Sequence, residues 1–289
     1  MQQGTYDFDA MTRLSADIRI ETIKALTCAG YGHIGGSLSI ADVLGALYGG
    51  IMRIDPGDPD REDRDFLVMS KGHCGPGLYA ALAVKGYFPR EALETINRGG
   101  TDLPSHCDRL KTRGIDMTTG SLGQGMSSAE GIAYANKLRG NDCYTYCILG
   151  DGECQEGQVW EGAELAVQLG LDHFIVFIDD NKKQLDGPVE DIRTGQDMAE
   201  KWKAFGWHTQ RIPGYDVRSI CSAVDAAKAE EGVPSLIILD TWKGLGATFA
   251  EKAAFNHYMV MDWDMANEAI REIERRLREN TYPRGDVRW

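Results

Sequence analysis

Between Tyr144 and Gly187 the chain reads YTYCILGDGECQEGQVWEGAELAVQLGLDHFIVFIDDNKKQLDG. An apolar run rich in β-branched and aromatic residues, Tyr144 to Leu149, stops at Gly150-Asp151-Gly152. A helical pattern follows, with Val159, Ala163, Ala166 and Leu169 on one face. A second apolar run, Phe174 to Ile178, ends at Asp179-Asp180-Asn181. Runs without polar alternation suit strands covered on both faces. Two such strands, parallel and adjacent, would deliver Asp151 and Asn181 to one crevice beyond their carboxyl ends, where open α/β sheets bind ligands.

The chemistry of those two ends is specific. Asp151 offers a hard carboxylate, Asn181 offers a carbonyl oxygen thirty residues later, and flanking glycines let backbone approach a phosphate closely. That combination suits Mg²⁺ bound to a diphosphate, because magnesium takes few protein ligands and completes its shell with phosphate oxygens and water. One Asp, one Asn and one backbone carbonyl are sufficient. A Gly-Asp-Gly triplet alone would equally suit a plain turn. The second strand, its Asn and the Asp186-Gly187 pair weigh against that reading.

The rest of the chain continues the alternation of strands and helices. A helix is expected from about Asp9 to Ala29, with Met11, Leu14, Ile18 and Ala25 along its apolar side and Gly30 as its stop. GHIGGS then forms a glycine-rich loop holding His33, and Ser39 caps a helix through Leu47. Residues 55–65 are proline and charge-rich and read as a solvated loop. Phe66 to Met69 reads as a short buried strand ending at Ser70-Lys71-Gly72-His73, followed by helices at Gly77 to Val84 and Pro89 to Asn97. Residues 101–120 show no periodicity and carry His106, as a functional loop of this length would. A small-residue helix runs from Gly125 to Leu138, with Ser127, Ala129, Gly131, Ala133 and Ala135 permitting close approach of a neighbour. Further on come a helix at Met198 to Ala204, a strand at His208 to Ile212, a helix at Val217 to Ala229, a strand at Leu236 to Asp240 and an amphipathic helix at Asp262 to Asn280. The fold class expected is α/β, a mainly parallel sheet with helices on both faces, in one domain over residues 1–289.

Charge and composition narrow the function. A net charge of −13 and the lack of a basic run argue against a nucleic-acid or anionic-membrane partner. No apolar stretch is long enough for a membrane span, and the polar start MQQGTYDFDA does not resemble a secretory signal, so a cytoplasmic protein is expected. Seven cysteines without a CxxC pair suggest reduced, mostly buried thiols. A nicotinamide dehydrogenase would need GxGxxG between a strand and a helix. Gly30 to Gly35 matches by letter, but it follows a predicted helix.

GDG followed about thirty residues later by Asn after an apolar strand is the thiamine diphosphate signature, and GDGECQEG with DDNKKQLDG resembles its transketolase version. GHIGGSLSIADVL at His33, SKGHCGPGLYAAL at His73, LPSHCD at His106, TTGSLGQGMS at Gly120 and TWKGLGATF at Lys243 resemble transketolase segments in the same order, from about residue 12 to 260. The resemblance implies the thiamine diphosphate-binding fold and transfer of a two-carbon ketol unit from a ketose to an aldehyde-type acceptor. It implies Mg²⁺ on Asp151, the Asn181 side chain and the Lys183 carbonyl, with the Gly152 amide and His73 at the diphosphate. Gly120, Ser121 and Leu122 would line the cofactor, although the family usually has proline where Ser121 stands. His33, His106 and His257 would bind the sugar hydroxyls and developing oxyanion, with His257 also beside the cofactor. The family usually shows Trp-His-Gly around that last histidine, whereas this chain has Asn256-His257-Tyr258. Lys243 is left unassigned. Decarboxylating synthases and 2-oxo acid dehydrogenase components share the metal pair but fit SKGHCGPG, LPSHCD and TTGSLGQG less well. A scaffold that has lost activity is a further alternative, opposed by retention of Asp151, Asn181, His33 and His73.

Full-length transketolases continue into pyrimidine-binding and carboxyl-terminal domains, whereas this chain ends at Trp289. The resemblance therefore points to the amino-terminal subunit of a split enzyme. Its partner would be a separately encoded carboxyl-terminal subunit supplying the glutamate that holds the aminopyrimidine in its reactive tautomer, in a two-plus-two heterotetramer. Sugars or sugar phosphates are the expected substrates.

Overall fold

The computed structural model describes residues 6–185, 187–193 and 197–283. Asp186 of the Asp186-Gly187 pair therefore lies outside the described residues. Five strands form one parallel sheet: β1 (Phe66–Met69), β2 (Thr145–Gly150), β3 (Phe174–Asp180), β4 (His208–Pro213) and β5 (Ser235–Asp240). Their spatial order is β1-β2-β3-β5-β4. Alternate residues of the central strands feed two cores. Leu67, Met69, Tyr146, Ile148, Ile175, Phe177, Ile237 and Leu239 enter one core, and Val68, Cys147, Leu149, Val176, Ile178, Leu236 and Ile238 enter the other. Both sets are apolar because both faces are covered.

Among the described residues, nine α-helices of six residues or more flank this sheet. On the first face lie α1 (Phe8–Ala29), the short α2 (Ile34–Ser39) and α3 (Ala41–Ala46), and α4 (Gly75–Lys85). The second face is covered by α5 (Gln124–Arg139), α6 (Gly157–Gln168) and Trp202 of α7 (Met198–Ala204). Returning to the first face, α8 (Val217–Ala229) and α9 (Trp263–Arg278) complete its cover. The expected architecture of a parallel sheet between helices is the one found. No helix among the described residues is long and apolar enough to cross a membrane. All seven cysteines are free, and six are buried.

Four local expectations are corrected. His33 is not inside a loop: it precedes the first residue of α2, so most of GHIGGS is helical. Ser39 does not cap the next helix, because its hydroxyl donates to the buried carboxylate of Asp179 at 2.7 Å, a charged acceptor that outcompetes a backbone amide. The helix expected through Leu47 breaks at Ile40 and closes with a wider turn over Leu47–Ile51. Residues 89–97 form a 3₁₀ segment, Arg90–Thr95, too short and too tightly bounded by Pro89 and the Gly99-Gly100 pair to propagate an α-helix.

Candidate active site

The β2–β3 register sets Gly150 opposite Asp179, so Asp151 and Asn181 leave the sheet side by side. They line a cavity of about 340 Å³ beyond the carboxyl ends of the strands. The same wall includes His33, His73, His106, His257, Gly120, Leu122, Gly152 and Lys183. One cavity thus gathers residues spread from His33 to His257 in sequence. Ser121 alone of the expected residues is exposed and off this wall, since the turn from Gly120 to Gly123 directs its neighbours inward instead. A Cβ at Gly120, where φ is +144°, would come within 2.8 Å of the His106 ring, so the loop can pass that histidine only as glycine.

Asp151 is held by its own turn. Its Oδ1 accepts from the Gly152 amide at 2.7 Å and its Oδ2 from the Lys182 amide at 2.7 Å. Burial, with Asp179 and Asp180 adding negative charge, raises its carboxyl to about 7. Asn181 is oriented from behind: its Nδ2 donates to Asp179 Oδ2 at 2.7 Å, and its Oδ1 accepts from the Lys183 amide at 3.2 Å. Asp179 is fully buried and also accepts from Lys71 Nζ at 2.5 Å, an ion pair with both side chains nearly inaccessible. Burial opposes the charge on Lys71, but Asp179 outweighs it and raises the lysine above its ordinary value.

The four histidines form a cluster around His33, whose ring centroid lies 5.4 Å from His73, 5.6 Å from His106 and 5.2 Å from His257. His73 and His257 are 4.8 Å apart. Burial is the main reason that all four are pushed down. His33 falls to about 4 with help from His106 and Lys243, His257 to about 3 with help from Lys243, His73 well below its usual value beside Lys71, and His106 through burial. All four imidazoles are therefore neutral near pH 7, each able to donate at one nitrogen and accept at the other. Lys243 donates to the Lys183 carbonyl at 3.0 Å and stands 3.0 Å from His257 Nδ1. Burial lowers its ammonium to about 8.

Several residues of the site carry no local signal in the sequence. Lys71 and Asp179 gain their meaning from a pairing that spans over a hundred positions. Glu153 staples three segments, with Oε1 accepting from Ser70 Oγ at 2.6 Å and the Gly123 amide at 2.8 Å, and Oε2 from the Gly150 amide at 3.0 Å. Gln155 and Gln184 also line the cavity, and their Nε2 atoms are buried without a partner among the described residues.

These features fit a metal-bound diphosphate. The two orphaned amide donors suit phosphate oxygens. A Cβ at Gly152 would meet the Gln184 side chain at 2.8 Å, so the backbone there forms a cradle that only glycine leaves open. One carboxylate, one side-chain amide and one main-chain carbonyl are a hard oxygen set that could hold magnesium.

Comparison with known proteins supports the diphosphate part of this reading. Residues 11–277 match the family model "Transketolase, thiamine diphosphate binding domain". The chain belongs to the transketolase family and carries that domain. It is 52% identical over 258 residues to the 6-deoxy-6-sulfo-D-fructose transketolase subunit SqwG of Clostridium sp. (strain MSTE9), covering 89% of this chain and 94% of the relative. It is 38% identical to an apulose-4-phosphate transketolase subunit of Phocaeicola vulgatus, covering 85% and 87%. A solved transketolase variant from Pichia stipitis superposes with a TM-score of 0.85 at 30% identity, over 93% of this chain but 40% of that one. The transketolase of Leishmania mexicana gives 0.84 at 29% identity, over 96% and 42%. The chain thus matches subunit-length relatives almost end to end and spans about two fifths of these longer enzymes.

Proposed function

We propose that the chain, folded as one domain over residues 1–289, is the diphosphate-binding subunit of a two-chain transketolase. The observation that carries this is the convergence of Asp151, Asn181, Lys183 and four neutral histidines on one cavity. Asp151, the Asn181 Oδ1 and the Lys183 carbonyl hold Mg²⁺, while the Gly152 amide, His73, Lys243 and the amides of Gln155 and Gln184 receive the diphosphate. Gly120 and Leu122 pack on the cofactor. His33, His106 and His257 take the hydroxyls of a ketose donor and donate to the oxygen that gains charge as its carbon–carbon bond breaks. When bound, thiamine diphosphate supplies the electron sink for that cleavage. Neutral imidazoles suit this task because they do not repel the metal and still offer one N–H each.

The partner is a separately encoded chain carrying the pyrimidine-binding half, in a two-plus-two assembly. Subunit-length relatives named as transketolase subunits support a separate partner chain, and free buried thiols suit a cytoplasmic location. The donor is a ketose with an anionic end, and the 52% identical relative makes a sulfonated ketose the first to assay. The test is turnover of sulfonated and phosphorylated ketoses by the purified chain with cofactor and Mg²⁺, before and after adding the partner. Turnover is expected only with both chains. Substantial turnover by this chain alone would refute the two-chain reading, and none with any donor in the assembled enzyme would refute ketol transfer.

A further inference from the structure

We propose that Tyr258 is a positioning residue for His33, fixing its imidazole at the cavity by ring packing, with Tyr31 backing it on the solvent side. The inference rests on the reading of His33 as a donor-binding group. Its basis is a short antiparallel ribbon in which Tyr31 pairs with Val260 and Gly32 with Met259. One step further along the same register, His33 faces Tyr258. Their rings meet edge to face, with centroids 5.0 Å apart and planes at 79°. Tyr31 stacks on the outer face of Tyr258 at 5.7 Å. Tyr258 is 48% exposed and Tyr31 40%, so the pair forms a rim between solvent and the histidine cluster.

Among the described residues, neither ring nitrogen of His33 has a hydrogen-bond partner. Its orientation is therefore set by the four rings around it. Three of those are the histidines of the cavity wall, which must themselves be free to meet a ligand. Tyr258 is the fourth and has no place on that wall. An edge-to-face ring fixes its neighbour's tilt in a way that an aliphatic side chain does not. The rim also covers one side of His33, which is half-buried. Its titratable and charged neighbours are His73 from the turn after β1, His106 from the 101–123 loop, and Lys243, His257 and Tyr258 from the segment after β5. With no carboxylate among these, the loss of shielding by Tyr258 moves its titration in one direction, upward.

The test uses the assembled two-chain enzyme. Tyr258→Ala is expected to lower kcat about 10-fold, as misplacement of a binding group does, with the cofactor concentration for half-saturation unchanged. Its His33 resonance, followed by NMR, should titrate above that of the wild-type enzyme and closer to the ordinary 6.5. Tyr258→Phe keeps the ring and should restore both properties to within about 2-fold. Wild-type kcat with an unmoved His33 titration in Tyr258→Ala would overturn the proposal. Equal impairment in Tyr258→Phe would overturn it too, since the hydroxyl and not the ring would then be acting. His33→Ala separates the two readings: a silent His33→Ala removes the donor role, whereas the His33 titration in Tyr258→Ala decides the packing role by itself.

Discussion

Cofactor affinity should depend on pH through Asp151, by an amount the site geometry sets. The carboxyl is buried, rises from an ordinary 3.8 to about 7, and is the one charged protein group in the proposed metal set. Binding of Mg²⁺ with thiamine diphosphate requires the ionised form, so apparent affinity falls about tenfold for each pH unit below 7. Between pH 8 and pH 5.5 the loss is about 30-fold. The same shift acts on stability with a fixed sign. A raised carboxyl stabilises the ligand-free fold fully below pH 3.8, and that contribution is lost as pH rises through about 7, at most about 4 kcal/mol in all at about 1.36 kcal/mol per pH unit. The assay is calorimetric titration of cofactor with Mg²⁺ at several pH values, for wild type and for Asp151→Asn. Comparing the two cancels titration of the ligand's own phosphates. Asp151→Asn should bind at least 100-fold more weakly at pH 8 for want of the only charged ligand, and its affinity should lack the Asp151-dependent fall. A ratio of the two affinities that stays constant from pH 5.5 to 8 would refute the assignment of Asp151 as the titrating ligand.

Two further outcomes follow from the buried charges and the histidines. Lys71→Met leaves Asp179 buried without its cation and should cost about 3–5 kcal/mol in urea unfolding; an unchanged midpoint would show that Ser39 and Asn181 suffice to satisfy that carboxylate. His73→Ala should raise the cofactor concentration needed for half activity, whereas His33→Ala should mainly lower turnover at saturating cofactor. Identical behaviour of the two variants at saturation would show that the roles are not divided in this way.

Most of the residues that line the cavity are legible in the sequence because they sit at ends of elements with strong periodic signals. Val217–Ala229 is helical over the range its pattern gave, and Asp151 and Asn181 lie where two buried strands deliver them. What stayed hidden depends on contacts that no local pattern encodes. The glycines of GHIGGS suggest a loop, yet Gly35 and Gly36 are helical and packed so closely that only glycine fits: a Cβ at Gly35 would lie 2.2 Å from the Asn256 carbonyl, and one at Gly36 would lie 2.7 Å from Cys74 Sγ. Ser39 carried a capping signature that a buried carboxylate 140 positions away overrides. The Tyr31–Tyr258 rim was invisible because its strands are two residues long, below any detectable alternation, and acquire meaning only when paired.

The balance of charge explains why a protein of net charge −13 should need a metal to bind an anion. Of the two buried lysines on the cavity wall, Lys71 is already neutralised by Asp179, so it adds little net positive field. Lys243, at about 8, is mostly charged at pH 7, yet it is a single charge engaged with the Lys183 carbonyl. Against it stands Asp151, whose carboxyl is raised chiefly by burial and further by the negative charge of Asp179 and Asp180 behind it. A diphosphate entering alone would place further negative charge within a few ångströms of that carboxylate, in a partly desolvated site where such repulsion is poorly screened. A divalent cation between carboxylate and phosphate turns both repulsions into attractions at once. Metal and diphosphate should therefore bind as a coupled pair, each weakly without the other, with the orphaned amides of Gln155 and Gln184 giving direction to contacts whose strength the cation provides.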